Sequence, residues 1–258
     1  MIAKAGGAVA AGVSGALALS GVLFCGNASA GSAGAGHSST AAPPIVKITA
    51  PADGSTHDWG SLASYGIVVT YAGKSTRYQE IPSKAVLLRV TYVPDVAKGA
   101  GNGLPAAPVG VRDIVESNCL GCHSFRARAM GPSFAAIARR YADSQAAVSA
   151  LSQHIRNGST GVWGRASMPS HEELTRVQLH DIVVWILHDA ANPDVSYYVG
   201  TQGAFRMPAP RAPDAGAAVI LTASYTSPAP GGNPHQAASG EDTVIVRGTS
   251  AAGSASAP

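Results

Sequence analysis

Charge is scarce in this 258-residue chain: Asp, Glu, Lys and Arg make up 13% of it, and the formal net charge is only +3. So thin a charge excludes a charge-rich disordered chain and a coiled coil. Lys and Arg are scattered, and no basic stripe is interleaved with aromatics, so there is no electrostatic footprint for nucleic acid. The 30 glycines and 17 prolines stay below the quarter or so of residues that marks low-complexity disorder. With 46% of residues hydrophobic, most of the chain is expected to fold.

Beyond the first 30 residues no stretch is long and apolar enough to cross a bilayer. Lys4 opens a short positive start, residues 5–24 are almost wholly Ala, Gly, Val, Leu and Phe, and Ala28-Ser29-Ala30 offers small residues for cleavage. Residues 1–30 therefore read as a secretory signal peptide, which predicts a periplasmic or secreted protein after processing near Ala30. An uncleaved membrane anchor is the alternative, because about 20 apolar residues suffice to span. Lipid attachment at Cys25 would want a small preceding residue, where Phe24 stands. Processing leaves two cysteines, Cys119 and Cys122.

Residues 31–43 read as a flexible leader, with too little apolar surface to offset the entropy of ordering. Residues 44–98 are β-rich: Ile45–Ile48, Tyr65–Tyr71 and Ala85–Val93 are β-branched and aromatic runs between Gly, Pro, Asp and Ser turns. Residues 99–108 form a Gly, Ala and Pro linker. Over 109–191 the period becomes helical. Phe134, Ile137, Ala138 and Tyr141 share a face, Val148, Leu151 and Ile155 share another, and Gly158 offers a stop. Thr175 and Gln178 fit a capping box, Leu174 and Leu179 can staple across it, and Leu179, Ile182, Val183 and Ile186 form a stripe that Trp185 widens. Strand signals return over 195–248, in Ala217–Thr226 and Thr243–Arg247, and residues 249–258 read as a disordered tail. The predicted class is thus α+β and multidomain, an all-α block between two β-strand-rich flanks. Neither flank is large enough to stand alone. They either assemble into one β-sandwich or pack separately on the helices.

Cys119-Leu120-Gly121-Cys122-His123 is a Cys-x-x-Cys-His sequence, the pattern of covalent haem c attachment. Two thiols one helical turn apart can each add to a vinyl group of one haem, which brings the adjacent histidine under the iron. A thioredoxin-like pair would want a strand before the motif, whereas helix-forming Asp113–Ser117 precedes it. A structural zinc site would need further ligands at metal spacing, and there is no second cysteine pair. With His123 as the proximal iron ligand, the second axial ligand must come from downstream. Met130 lies too near His123 to reach the opposite haem face, and Met207 falls beyond the last helix in a Pro-rich loop. His154 is a further candidate, while His180 and His188 on the last helix read as surface residues. Met168 sits in the Gly-rich loop Gly158–Pro169, 45 residues beyond His123. That span lets the chain cross the haem edge and present a thioether, and His171, in the same loop, is its rival.

Residues 110–190 resemble a class I, mono-haem cytochrome c domain, through the Cys-Leu-Gly-Cys-His motif, Met130-Gly131-Pro132-Ser133-Phe134, the Met168-Pro169 loop and a closing helix with Trp185. The resemblance implies that the Pro132 carbonyl accepts a hydrogen bond from His123 Nδ1. It also implies that Trp163 and Arg165 lie near the haem propionates, and that the last helix crosses the first, at residues 111–118. More weakly, Ile48–Ser55, Tyr78–Pro82 to Pro94-Asp95, and Leu221–Thr226 resemble the immunoglobulin-like and carbohydrate-module-like pieces of secreted multidomain cytochrome proteins.

A haem iron held by His123 and Met168 has no open position for substrate, so the expected chemistry is one-electron exchange rather than enzymatic turnover. The expected partners are a dehydrogenase or respiratory complex as donor and an oxidase or another cytochrome as acceptor. Two alternatives stand beside this reading. One is a redox subunit docked to a sugar or alcohol dehydrogenase through the β region; the other is a peroxidase or gas sensor, should Met168 leave the iron.

Overall fold

The computed structural model describes residues 42–99, 107–209, 216–229 and 237–249. The expected signal peptide 1–30, most of the leader 31–43, most of the linker 99–108 and nearly all of the tail 249–258 lie outside the described residues.

Alternation of apolar and polar side chains builds β1 (Ile45–Ala50) and β3 (Leu62–Tyr71), whose inward residues Val46, Ile48, Ala63, Tyr65, Ile67 and Val69 are buried. β3 is the centre of the first sheet. β1 pairs antiparallel with its second half, β4 (Lys74–Ser75) with its end, and β7 (Gln202–Arg206) with its first half. The second sheet runs β2 (Thr56–Asp58), β9 (Ser239–Thr249), β8 (Ala218–Thr226), β5 (Val86–Val93), β6 (Val195–Val199); only the β2–β9 pair within it is parallel. Both sheets thus contain strands from before and from after the helices. One apolar core joins them, with Val46, Ile48, Val86 and Leu88 from one flank against Phe205, Met207, Val219, Leu221, Val244 and Val246 from the other.

The Ala217–Thr226 and Thr243–Arg247 runs are strands where the pattern put them, while β2, β4 and β7 carry no such pattern. β2 is a polar tripeptide and β7 has no β-branched residue, so tertiary pairing rather than propensity makes them strands. The chain passes from β6 in one sheet to β7 in the other through Gly200 at φ +121°, a conformation that favours glycine. Gly203 then lets β7 approach the Tyr65 ring, which a Cβ would meet at 2.9 Å.

After β5 and the single turn α1 (Val96–Gly99), the described residues form four α-helices: α2 (Val109–Glu116), α3 (Phe134–Arg140), α4 (Gln145–Asn157) and α5 (Arg176–His188). Ser133, Ser144 and Thr175 cap α3, α4 and α5 through their side-chain oxygens, and Thr175 with Gln178 closes the full capping box. α2 crosses α5 at Gly110, in contact with Asp181 and Trp185. Val111, Ile114, Phe134, Leu179, Ile182, Trp185 and Ile186 form the helical core, and Leu87, Tyr197 and Val199 of the second sheet belong to the same cluster. The helices therefore sit directly on the outer face of that sheet.

Candidate haem site

Asn118, in a left-handed conformation at φ 25°, turns the chain out of α2 into a short 3-10 turn over Cys119–Gly121. Cys122 N and His123 N both donate to Cys119 O, at 3.2 and 2.9 Å, which sets the two thiols and the imidazole on one curl of backbone. Cys119 and Cys122 are not joined in a disulfide. Burial pushes the Cys119 thiol up to about 11. That is the reverse of the lowered value a dithiol redox catalyst needs.

The next loop folds back on this curl. Gly131 N donates to Cys122 O at 2.8 Å, Phe134 N to Ser124 O at 3.0 Å, and Ala135 N to Phe125 O at 3.1 Å. Pro132 O lies 2.7 Å from His123 Nδ1 and accepts a hydrogen bond from its N–H, which leaves the Nε2 lone pair for a metal. Gly131 lies against the imidazole so closely that a Cβ would fall 2.7 Å from its Cε1. On its other flank Phe134 stacks on the ring, with centroids 5.5 Å apart and planes at 21°. Phe134 in turn packs at a tilt against Phe125 and edge-to-face with Trp185, and both of those touch Tyr197 of β6.

Across the cavity, Met168 and Ser159 exchange two backbone hydrogen bonds of 2.9 and 3.1 Å. Gly158, at φ +76°, ends α4 beneath them, and a Cβ there would lie 2.7 Å from Met168 O. The loop is thereby pinned to the end of α4. Between the two walls opens a cavity of about 1290 Å³, its mouth included, lined by Cys119, Cys122, His123 and Met168 together with Ile182, Val183 and Ile186 of α5. Two free thiols, an imidazole with Nε2 available and a thioether around one largely apolar cavity fit covalent haem c. Among the described residues no group of three or more His, Cys, Asp and Glu could hold another metal ion.

The other sequence candidates fall as follows. Trp163 lines the cavity, whereas Arg165, expected beside it, is exposed and does not. Two arginines that carry no motif hold Trp163 instead: Arg140 lies over its ring at 4.6 Å, and Arg128 donates to its carbonyl. Met130 is 67% exposed at the cavity mouth, its sulfur 3.9 Å from Cys122 Sγ. Met207 is fully buried in the core between the sheets. His180 and His188 are on the surface, paired with Asp181 and Asp143. His154 and His171 both line the cavity.

One buried carboxyl stands beside the site. Asp113 of α2 is 8% exposed, and its Oδ2 has no hydrogen-bond partner. Burial first, then Glu116 and Asp181, push its pKa up to about 6 against the partial offset of Arg112 and Gln178. A raised acid pKa favours the fold below the unfolded value near 4, and that contribution is lost as pH rises through about 6. Asp113→Asn is therefore expected to gain on the wild type as pH rises from 4 to 7, by roughly 1–2 kcal/mol at neutrality. Denaturant unfolding of both proteins across that range measures it; a pH-independent difference would refute the assignment.

Comparisons with known proteins fall on the same segment of the chain. The family model described as cytochrome c oxidase, cbb3-type, subunit III matches residues 106–186. Cytochrome c-552 of Hydrogenobacter thermophilus is 35% identical over 92 residues, which are 33% of this chain and 93% of that protein. Cytochrome c-551 of Ectopseudomonas mendocina is 38% identical over 69 residues, 27% of this chain and 83% of that protein. A solved structure of Nitrosomonas europaea cytochrome c552 is 32% identical, covers 30% of this chain and 96% of its own, and superposes with a TM-score of 0.29. With cysteines, histidine and methionine gathered about one cavity and near-complete coverage of such relatives, the chain belongs, through its helical domain, to the class I mono-haem c-type cytochromes and carries covalent haem c.

Proposed function

We propose that the protein carries single electrons, with Cys119 and Cys122 joined to one haem and the iron held between His123 and Met168. The observation that carries this reading is the convergence of all four side chains on one cavity, with His123 Nδ1 committed to Pro132 O. When bound, the haem supplies one reversible ferric–ferrous couple. His123, fixed in one tautomer, and Met168 would hold its iron and leave no open position for substrate, and the apolar α5 side chains that line the cavity would exclude water from it. A thioether ligand and an apolar wall both favour the ferrous state, which suits a carrier of comparatively high potential. The same reading makes the protein periplasmic or secreted, after loss of residues 1–30. It takes electrons from a dehydrogenase or respiratory complex and passes them to an oxidase or another cytochrome through small, transient contacts.

Domain limits belong to the proposal as well: a haem domain over 109–191, and residues 44–98 with 195–248 acting as one immunoglobulin-like module. Because Leu87, Tyr197 and Val199 of that module pack into the haem-domain core, we assign it the role of presenting the cytochrome to a dehydrogenase. Copurification of a dehydrogenase subunit with the full chain, lost when the module's exposed face is altered, tests that role.

The ligand assignment is tested by optical spectra of the haem-loaded protein. The expected result is a haem c α-band on reduction and, in the ferric protein, a weak near-infrared band of methionine-to-iron charge transfer that disappears in Met168→Ala. A wild-type spectrum without that band would remove Met168 from the iron.

A further inference from the structure

Two histidines on the walls of the cavity are oriented in the same way, and only one has been given a role. His123 donates its Nδ1 proton to Pro132 O at 2.7 Å; His171 Nδ1 lies 2.9 Å from Glu173 Oε1. In each case the partner is an acceptor, so the proton sits on Nδ1 and the lone pair on Nε2. That is the tautomer a metal-binding imidazole needs, and a carboxylate on the second nitrogen also raises the basicity of the first.

His171 also shares its mounting with Met168. Its backbone N–H donates to Ile155 O at 3.0 Å, one turn before the Ser159 pair that holds Met168, so both residues hang from the end of α4. Both line the same cavity, and the His171 side chain is only 17% exposed. The loop that precedes them contains Gly158, Gly161 and Gly164, all at positive φ, so its backbone runs through conformations that side-chain-bearing residues rarely adopt. His154 lines the cavity too, but from within the last turns of the α4 helix, whose backbone is fixed.

We propose that His171 is a built-in second ligand, which takes the sixth iron position through Nε2 when the Met168 thioether is off the iron. The proposal rests on Met168 being the resident ligand. Imidazole is the harder donor and favours ferric iron, so the exchange turns a high-potential carrier into a low-potential one without opening the iron to small molecules.

The test uses the full haem-loaded chain and reads iron spin state by electron paramagnetic resonance and visible spectra. Met168→Ala is expected to lose the near-infrared band yet remain low-spin with two nitrogen ligands. Met168→Ala with His171→Ala is expected to become high-spin, and His171→Ala alone to keep the wild-type spectrum. A high-spin Met168→Ala protein, or a double variant that stays low-spin, overturns the proposal. If Met168→Ala does not mature, the same comparison is made on wild type and His171→Ala after chemical oxidation of the methionine to its sulfoxide, with low-spin iron expected only where His171 is present. A near-infrared band that is absent from the wild type, or that persists in Met168→Ala, is a separate result and fails the Met168 assignment instead.

Discussion

Gly110→Ala is expected to destabilise the haem domain by about 3 kcal/mol, at the upper end of what overpacking usually costs. A Cβ at this position would stand 2.2 Å from Asp181 O, 2.8 Å from Asp181 C and 2.8 Å from Trp185 Cβ. Two of those atoms are main chain inside α5 and cannot rotate away. The helices would have to separate, and Val111 and Ile114 of α2 would lose their fit against Ile182, Trp185 and Ile186, all of them buried. Because α5 lines the cavity through Ile182 and Ile186, the loss should extend to haem retention. Thermal unfolding followed by helical circular dichroism, together with haem content after purification, measures both. Gly121→Ala is the control, since its Cβ would meet only ordinary contacts at 3.5 Å or more. A midpoint for Gly110→Ala within a degree or two of the wild type would show that the crossing is looser than described.

Deleting residues 217–258 is expected to unfold residues 44–98 as well, although the two segments are separated by more than a hundred residues. β8 lies between β5 and β9, and its loss strips β5 of one neighbour along its whole length, Val86 to Val93. The inward faces of β1, β3 and β5 would lose Val219, Leu221, Ala223, Val244 and Val246 from their common core. β1 and β3 by themselves cannot bury that surface. The loss should equal the whole stability of the sheet pair, several kcal/mol, and no partial strand signal should survive. Limited proteolysis with mass spectrometry reads it directly, as cleavage within residues 44–98 in the shortened chain and protection in the full one. Protection in both would mean that the front flank folds alone.

The haem site is legible in sequence to an unusual degree because its chemistry is local. Cys119, Cys122 and His123 are adjacent, Pro132 follows within a short loop, and Met168 stands on a loop between two recognisable helices. The α5 start was equally plain, since the capping box uses only Thr175 and Gln178. What the pattern did not carry is long-range. Nothing about Arg128 or Arg140 marks them as the holders of Trp163, because that contact depends on how a loop folds over α3. Gly110 looks like a poor helix residue until α5 is laid across it. Likewise β7 is a strand only because β3 has an open edge to pair with, and β2 because β9 runs past it. The longer flank strands β1, β3, β5, β8 and β9 could be read from their β-branched and aromatic runs, but which strand pairs with which is set by packing between segments far apart in the chain.

The place of the helices in the strand order has a consequence for assembly in time. The chain leaves the second sheet at the end of β5 and re-enters it at β6, directly alongside, where Thr91 faces Val195. Everything the haem cavity needs, from α2 to α5, is contiguous and complete before β6 emerges from a growing or exported chain. The sheets, by contrast, cannot close until β9, near the very end, arrives to join β8 and β2. The order of the chain therefore lets the cytochrome unit form before the second sheet is complete, while of the strands ahead of it β1, β3 and β4 can already pair with one another and β5 still lacks both its neighbours.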